Sequence, residues 1–342
     1  MVNRLLITGG TGFFGRALLR HFHSEATCLA SGKPNNFDEV IVLSRNPEAF
    51  AIRHPTLARA PWLRWVRGDV CQAQTLDTLL VGETVRAVLH AATDSTDAAA
   101  LTPIDKLDQI VEGTRNVLQL AVRLHARRFL LTSSGGVYGP QPADMEQIPE
   151  TYCGMPDPLQ VSSTYGLGKR VAEHLCLLFG QCYGLETVIA RCFAFVGQDL
   201  PLDAHFAIGN FIRDALQNPS IEVGGDGTPV RSYMDQRDLC HWLLVLLERG
   251  HASEAYNVGS DAAITVRDLA YLVRDTLAPS KPVNIAGKSF PTQSFRNRYV
   301  PSTTKARTQF ELTLSHSLQE ALRRVLSSEH YRGPQRKRKL VK

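Results

Sequence analysis

The chain has 342 residues, 44% of them hydrophobic and 21% charged, which gives enough apolar surface for a large core in two lobes. Its net charge of +5 comes from residues 331–342, which hold six cations and no acid, since the remainder carries 32 basic and 33 acidic residues. No apolar run has membrane length and no signal peptide is apparent, which excludes a membrane protein and predicts a cytoplasmic one.

The first predicted strand, residues 5–7, runs into a glycine-rich turn with the sequence TGGTGFFG at residues 8–15. Glycines at such a turn let the backbone approach a dinucleotide pyrophosphate, and the free N–H groups of the following helix, residues 13–22, favour its negative charge. A strand before the turn and an amphipathic helix after it favour a cofactor site over an ordinary glycine-rich turn. The expected contacts are Gly9, Gly12, Phe13, Phe14 and Gly15.

The second predicted strand, residues 40–43, ends in Ser44 and Arg45. Enzymes built for NAD usually place a carboxylate there for the ribose 2′-hydroxyl, whereas an arginine accommodates the 2′-phosphate of NADP. Neither residue is acidic, so the charge predicts NADP, with NAD as the alternative cofactor. The competing interpretation is that Arg45 is only a solvated loop residue.

The next elements continue an alternation of strands and helices. A third strand, residues 65–70, ends in Asp69 and Val70 near the expected adenine, and a fourth, residues 85–89, precedes Ala91 and Ala92, which are small enough for a cofactor to lie close. A helix at 104–124 and a fifth strand at 129–131 follow. This order predicts a doubly wound parallel sheet of the Rossmann type, with ligands at the carboxyl ends of its strands.

Two further motifs supply groups for proton transfer, TSSGGVYG at residues 132–139 and YGLGK at residues 165–169. Residues 163–180 have helical periodicity, so Tyr165 and Lys169 share one helix face. A phenol has a pKa of about 10, which a neighbouring ammonium lowers toward the operating range. Ser134 would bind the substrate oxygen and Lys169 the nicotinamide ribose. An isolated Tyr-x-x-x-Lys is often an ordinary helix face, but Ser134 at a strand end argues against that.

Together these motifs resemble the extended short-chain dehydrogenases/reductases of the nucleotide-sugar epimerase/dehydratase family, over about residues 3–326. The resemblance implies a nucleotide-sugar substrate and a catalytic triad of Ser134, Tyr165 and Lys169, of which the last two also bind the cofactor. It also implies that Cys192 lies beside the cofactor.

The second lobe is less clear from sequence, although a sixth strand is predicted at residues 185–190. The resemblance implies that Asn210 covers the nucleotide on a helix at 205–217, and that Arg231 grips the diphosphate in a hairpin at 224–233. Ala194 stands where the family usually has an asparagine, and Arg296 and Arg298 are weaker phosphate candidates. We expect a Rossmann domain at 1–180 and a smaller, interleaved substrate lobe at 181–330.

The two residues after Ser134 limit which reactions of this family the chain can catalyse. Dehydratases of this family usually have an acidic pair there. This chain has Gly135 and Gly136, which have no side chain to assist the elimination of water from a substrate. The first hypothesis is therefore an NADPH-dependent 4-ketoreductase of a nucleotide-linked 4-keto-6-deoxyhexose, with Tyr165 as proton donor. The alternatives are an NAD-retaining nucleotide-sugar epimerase, then a decarboxylase, and finally a non-catalytic cofactor-binding module.

The remaining predictions concern partners. The family often dimerises through two helices, here 104–124 and 163–179, and their apolar residues predict a two-fold homodimer: Ile110, Val117, Leu118, Leu120, Leu175, Leu177, Leu178 and Phe179. The basic residues 331–342 predict a disordered end rather than a nucleic-acid site. Seven scattered cysteines without CxxC spacing, and histidines without HxxxH pairs, predict reduced thiols and no metal.

Overall fold

The computed structural model describes residues 2–28, 37–93, 101–202, 204, 206–287 and 297–326. The strands of these segments are β1 (Arg4–Thr8), β2 (Glu39–Ser44), β3 (Leu63–Arg67), β4 (Ala87–His90), β5 (Arg128–Ser134), β6 (Glu186–Cys192), β7 (Phe195–Val196), β8 (Ile221–Val223), β9 (Val230–Arg231), β10 (Met234–Asp235), β11 (Glu254–Val258), β12 (Ile264–Thr265), β13 (Val283–Ile285) and β14 (Arg298–Tyr299). The helices are α1 (Phe13–Cys28), α2 (Pro47–Arg53), α3 (Pro55–Ala58), α4 (Ala73–Asp77), α5 (Pro103–Arg123), α6 (Thr164–Tyr183), α7 (Ala207–Gln217), α8 (Gln236–Arg249), α9 (Val266–Leu277), α10 (Thr304–Phe310) and α11 (Leu318–Val325).

Seven of these strands form one parallel sheet in the order β11-β6-β5-β4-β1-β2-β3. The direction of winding reverses between β1 and β4, where Thr8 is registered with His90. Ligands of open α/β sheets bind outside the carboxyl ends of the strands at such a reversal. The predicted doubly wound fold is confirmed, and the glycine turn after β1 lies at this reversal.

Helices cover both faces of the sheet, as the apolar runs in its strands require. Helices α1 and α8 pack against one face, and α5 and α6 pack against the other and against each other. Among the described helices, none is long and apolar enough to cross a membrane.

Most of the apolar residues on which the dimer prediction rested belong to the protomer's own core, so this reason for the prediction is wrong. Five of the eight are buried, namely Ile110, Val117, Leu118, Leu120 and Leu175. Leu177 and Leu178 are 39% and 41% exposed. The apolar periodicity of a helix reports a buried face without saying whether its own chain or a second copy covers it.

The second lobe is built from helices α7, α9 and α11 around three small sheets. The hairpin expected at residues 224–233 is wrong. Strand β8 pairs with β13, whereas β9 pairs with β12 and β14, so the two strands belong to different sheets. Although they come after residue 180, strands β6 and β11 complete the first sheet, and helix α8 packs against it. The chain therefore passes between the lobes more than once.

Several element boundaries also differ from prediction. Strand β3 ends at Arg67 because residues 69–72 form a turn, in which the Asp69 carbonyl accepts from the Gln72 N–H at 3.0 Å. Helix α6 continues to Tyr183, where Gly184 adopts a left-handed conformation with φ of 69° and ends the helix. His205, Arg296 and residues 331–342, which carried predictions, lie outside the described residues.

Candidate active site

The glycine turn after β1 is shaped by close backbone contacts. Gly9 has a φ of 74°, and a Cβ built on it would lie 2.3 Å from the Ala91 carbonyl oxygen. A Cβ on Gly15 would lie 2.2 Å from the Cα of Gly10. Only glycine fits these positions, so the turn packs tightly against the segment that follows β4.

The start of α1 is suited to an anion. Phe13 is its first residue, so the N–H groups of Phe13, Phe14 and Gly15 have no partner within the helix. The Phe14 ring packs edge-on against Phe195 at 5.3 Å between centroids, and both rings belong to the core on the α1 face of the main sheet. The predicted pyrophosphate contacts therefore meet at one helix N-terminus, and their geometry fits a dinucleotide.

The end of β2 places Ser44 and Arg45 as predicted. Ser44 is 8% exposed and its Oγ accepts from the Asn46 N–H at 3.3 Å, while Arg45 is exposed. The acid nearest in sequence after them is Glu48, in the first turn of α2. Its carboxylate pairs with Arg67, and this hydrogen bond lowers the pKa of Glu48. The two positions at the end of the strand are therefore a serine and an arginine, and the nearby Glu48 carboxylate is paired with Arg67, which is registered with Ser44.

Asp69 and Val70 lie in the turn after β3. The Asp69 carboxylate accepts from the Cys71 N–H at 3.0 Å, and the buried Val70 has its carbonyl bound by the Asn116 side chain at 2.9 Å. The Asn116 contact joins the turn to α5. Ala92, in the segment after β4, is half-buried. These residues remain candidates for the adenosine half of the cofactor.

The predicted catalytic serine and tyrosine are brought together by a glycine contact. Ser134 ends β5, and its Oγ accepts from the Gly136 N–H at 3.0 Å. A Cβ on Gly166 would lie 2.6 Å from the Gly136 carbonyl oxygen. The first turn of α6, which carries Tyr165, therefore rests directly on the 3-10 turn that follows Ser134.

Lys169 is buried beneath these two residues, with 1% of its surface exposed. Its ammonium donates to Thr93 Oγ1 at 2.9 Å and to the Thr132 carbonyl at 2.8 Å, and it lies 6.0 Å from the centre of the Tyr165 ring. Burial lowers the pKa of Lys169 to about 8. No motif predicted the contact of Thr93 with Lys169. The sequence signal that could have indicated it is the position of Thr93 directly after the HAA segment.

Cys192 ends β6 and is registered with Ser134 across the sheet. It is 4% exposed, and burial raises the pKa of its thiol to about 12. The thiol is therefore neutral at physiological pH, and the residue offers a small apolar surface beside Lys169. The cofactor contact of Cys192 stays a prediction.

His90 lies at the same strand ends but is a structural residue. Its Nε2 is 3.2 Å from Thr114 Oγ1, which itself donates to the Ile110 carbonyl at 2.6 Å. Nε2 must then carry the proton, and Nδ1 accepts from Thr8 Oγ1 at 2.7 Å. Burial lowers the pKa of His90 to about 3, so the ring stays neutral and links β1 to β4.

The space beside Ser134 is filled by residues that no motif predicted. A Cβ on Gly135 would lie 2.6 Å from the Tyr299 hydroxyl and 2.7 Å from the Phe193 ring. These two rings are stacked at 4.6 Å between centroids. A side chain at position 135 is therefore excluded unless both rings move.

The predicted substrate residues separate into two groups. Arg231 in β9 is registered with Tyr299 in β14, so the small sheet directs it to the same side as the ring beside Gly135. Asn210 in α7 is instead bound by Arg213 Nη1 at 3.1 Å. Arg298 donates to the Glu146 carbonyl at 2.7 Å. Ala194 packs against the core of the second lobe and offers no polar atom from its side chain.

We expect cofactor affinity to fall about tenfold per pH unit above pH 8, because Lys169, with a pKa of about 8, then loses the cation that strengthens its hydrogen bonds. The cation is present below that pKa and lost as the pH rises through it. Fluorescence titration of NADPH between about pH 6.5 and 9.5 measures this effect. In Lys169→Met the affinity should be weak and independent of pH. A flat profile in the unaltered protein would contradict the prediction.

Comparison with known proteins agrees with this geometry. Residues 5–259 match the family model of the NAD dependent epimerase/dehydratase family. UDP-glucuronic acid decarboxylase 1 of Arabidopsis thaliana is 31% identical over 95% of this chain and 69% of its own length. Decarboxylases 2 and 4 of the same plant are also 31% identical, and the chain spans 63% and 64% of their length.

Two solved structures are similar throughout. DesIV, a dTDP-glucose 4,6-dehydratase from Streptomyces venezuelae with NAD and TYD bound, has a TM-score of 0.78 at 26% identity, covering 95% of this chain and 96% of its own. RMD from Pseudomonas aeruginosa, complexed with NADPH, has a TM-score of 0.74 at 25% identity, covering 95% and 98%. The chain thus belongs to the NAD-dependent epimerase/dehydratase family, the nucleotide-sugar branch of the extended short-chain dehydrogenases/reductases.

Proposed function

We propose that the protein is an NADPH-dependent 4-ketoreductase that acts on a nucleotide-linked 4-keto-6-deoxyhexose. The observation that carries the proposal is the end of β2, where exposed Arg45 follows Ser44 and neither position holds a carboxylate. An arginine there suits the 2′-phosphate of NADP, and a reductase consumes NADPH, whereas an epimerase regenerates its bound NAD. The structural likeness to RMD, which was solved with NADPH, supports this cofactor.

The absence of an acid after Ser134 supports reduction over elimination. Gly135 and Gly136 have no side chain to protonate a leaving hydroxyl, and the Tyr299 hydroxyl and Phe193 ring occupy the space beyond Gly135. Neither the Tyr299 phenol nor the Phe193 ring can take the place of the missing carboxylate. We therefore propose that this chain shares the fold of the dehydratase DesIV but not its reaction.

The proposed catalytic residues have different tasks. The reduced cofactor would supply hydride to C4 of the sugar. Tyr165 gives its phenolic proton to the C4 oxygen, and Ser134 donates a hydrogen bond to the same oxygen. Lys169 holds the nicotinamide ribose and favours the phenolate that remains on Tyr165. The tight contact between Gly166 and Gly136, which holds the first turn of α6 against the turn after Ser134, supports this assignment.

For the substrate lobe we propose that Arg231 binds the diphosphate, because its fork geometry suits phosphate oxygens. Arg231 is registered with Tyr299, whose hydroxyl lies beside Gly135, the residue after Ser134. Asn210 remains a candidate for covering the nucleotide.

The second candidate function is an NAD-retaining conversion of a nucleotide sugar, by epimerisation or decarboxylation. It is favoured by the 31% identity to UDP-glucuronic acid decarboxylase 1 over 95% of this chain. Such an enzyme oxidises and reduces its substrate in one cycle and so keeps its cofactor.

The absorbance of the purified protein separates these functions. Tightly bound NAD(H) favours the NAD-retaining conversion. A cofactor-free protein that oxidises added NADPH with a 4-keto-6-deoxy sugar nucleotide, with the reduced product identified by NMR, supports the ketoreductase. A protein that does neither with a panel of such sugars would favour a non-catalytic module.

We also propose a two-fold homodimer through the exposed apolar residues of α5 and α6. Leu107 and Val171 line a groove between these helices and are 37% and 44% exposed. Changing both to aspartate should halve the mass measured by light scattering at micromolar concentration, because buried carboxylates oppose association. Val81→Asp, at a residue 72% exposed elsewhere, is the control. A monomeric unaltered protein would contradict the proposal.

A further inference from the structure

A row of polar residues crosses three neighbouring strands one position before the predicted catalytic level. Ser133 in β5 is registered with Arg191 in β6, and Arg191 is registered with Asn257 in β11. Ser133 and Asn257 are buried, and the next register level holds Ser134 and Cys192. The row therefore lies directly beneath the proposed site.

Glu173 of α6 binds this row. Its carboxylate accepts from Ser133 Oγ at 2.5 Å and from Arg191 Nε and Nη2 at 3.0 and 2.7 Å. Glu173 is 7% exposed and lies one helical turn after Lys169. It thus joins the helix that carries Tyr165 and Lys169 to the strand that carries Ser134.

The hydrogen bonds continue beyond Arg191. Its Nη1 donates to the Tyr138 hydroxyl at 3.0 Å, which donates to Asn257 Oδ1 at 2.8 Å. Tyr138 belongs to the turn after Ser134, and burial raises its pKa to about 12, so it remains a donor. The network connects both ends of the turn to the catalytic helix.

The stability of the fold does not by itself require this pair, because a buried ion pair can often be replaced by apolar residues without loss. The groups near Lys169 suggest another role. They are His90 of β4, Cys192 of β6, and Cys176, Glu173 and Tyr165 of its own helix, and Arg191 adjoins Glu173. Burial keeps the histidine and both thiols neutral, so among these groups Glu173 supplies the negative charge.

We propose that Glu173 is a positioning residue, which holds α6 against the strand that carries Ser134 and keeps a buried carboxylate one helical turn from Lys169. The inference rests on the roles proposed above for Ser134, Tyr165 and Lys169. It adds to them a buried carboxylate that touches neither substrate nor cofactor.

Glu173→Gln tests the proposal because it keeps the size and one acceptor oxygen but removes the charge. The pKa of Lys169 should fall by at least about one unit, because Arg191 then lies nearby without its anion. It is measured by NMR of protein labelled with 13C-lysine, with Lys169→Met assigning the signal. The NADPH dissociation constant should therefore rise at least about threefold at pH 7.5 and recover toward pH 6.

Glu186→Gln is the matched control, since Glu186 pairs with Arg128 at 2.7 Å on the same two strands, at their opposite end. It should leave the Lys169 signal unchanged. If Glu173→Gln shifts that signal no more than Glu186→Gln does, the proposal is overturned. These readouts need no sugar substrate, so they stand even if the proposed ketoreductase activity is wrong.

A second variant tests the proposal if Glu173→Gln does not fold. Glu173→Gln combined with Arg191→Met removes both charges together, which buried pairs often tolerate. The folded double variant should bind NADPH about tenfold more weakly, because the link between α6 and the strand ends is lost. Wild-type affinity for NADPH in that variant would overturn the proposal.

Discussion

Tyr165→Phe is expected to lower turnover by about two to four orders of magnitude while leaving cofactor binding nearly intact. The substitution keeps the ring that packs at the first turn of α6 and removes only the hydroxyl, which is the proposed proton donor. Lys169 keeps its contacts with Thr93 and the Thr132 carbonyl, so the ribose binding proposed for it should be unaffected. Turnover with the keto-sugar nucleotide and the NADPH dissociation constant are the two measurements.

Tyr183→Phe provides the control for this substitution. Tyr183 is the last residue of the same helix and is 62% exposed, so removal of its hydroxyl should change neither rate nor affinity. A Tyr165→Phe protein that keeps more than about a tenth of wild-type turnover would remove Tyr165 from the mechanism.

The parts of the site that sequence could predict are those fixed by local rules. The glycine turn between β1 and α1 follows from spacing, because Gly9 and Gly15 occupy positions that no Cβ can enter. Tyr165 and Lys169 share a face because the helix sets residues four apart side by side. Parallel strands then bring their carboxyl ends to one edge, which placed Ser134 near the turn without knowledge of any contact.

The parts that sequence did not predict depend on contacts between distant residues. The Tyr299 hydroxyl reaches Gly135 only because β9 pairs with β14 rather than forming the expected hairpin. Likewise Glu173 meets Arg191 through the packing of a helix on a sheet, for which no spacing rule exists. Short strands of two residues, such as β9 and β14, carry too few side chains for a periodic signal.

The cofactor preference is expected to invert toward NADH when Ser44→Asp is combined with Arg45→Asn. A carboxylate at the end of β2 would repel the 2′-phosphate, which brings roughly two negative charges, and would instead bind the 2′-hydroxyl of NADH. Exposed Arg45 can offer two parallel charge-assisted hydrogen bonds, each worth about 1.5–3 kcal/mol, so a preference of tenfold or more should be lost. Dissociation constants for NADPH and NADH measure the change.

Arg53→Asn is the matched control, because it removes an exposed arginine from the adjacent helix α2 without touching the strand end. It should leave the ratio of the two constants unchanged. Added salt should weaken NADPH binding more than NADH binding in the unaltered protein, since the extra charge meets an exposed arginine. If the unaltered protein instead prefers NADH, or purifies with NAD tightly held, the charge argument at Arg45 fails and the NAD-retaining conversion becomes the better account of this site.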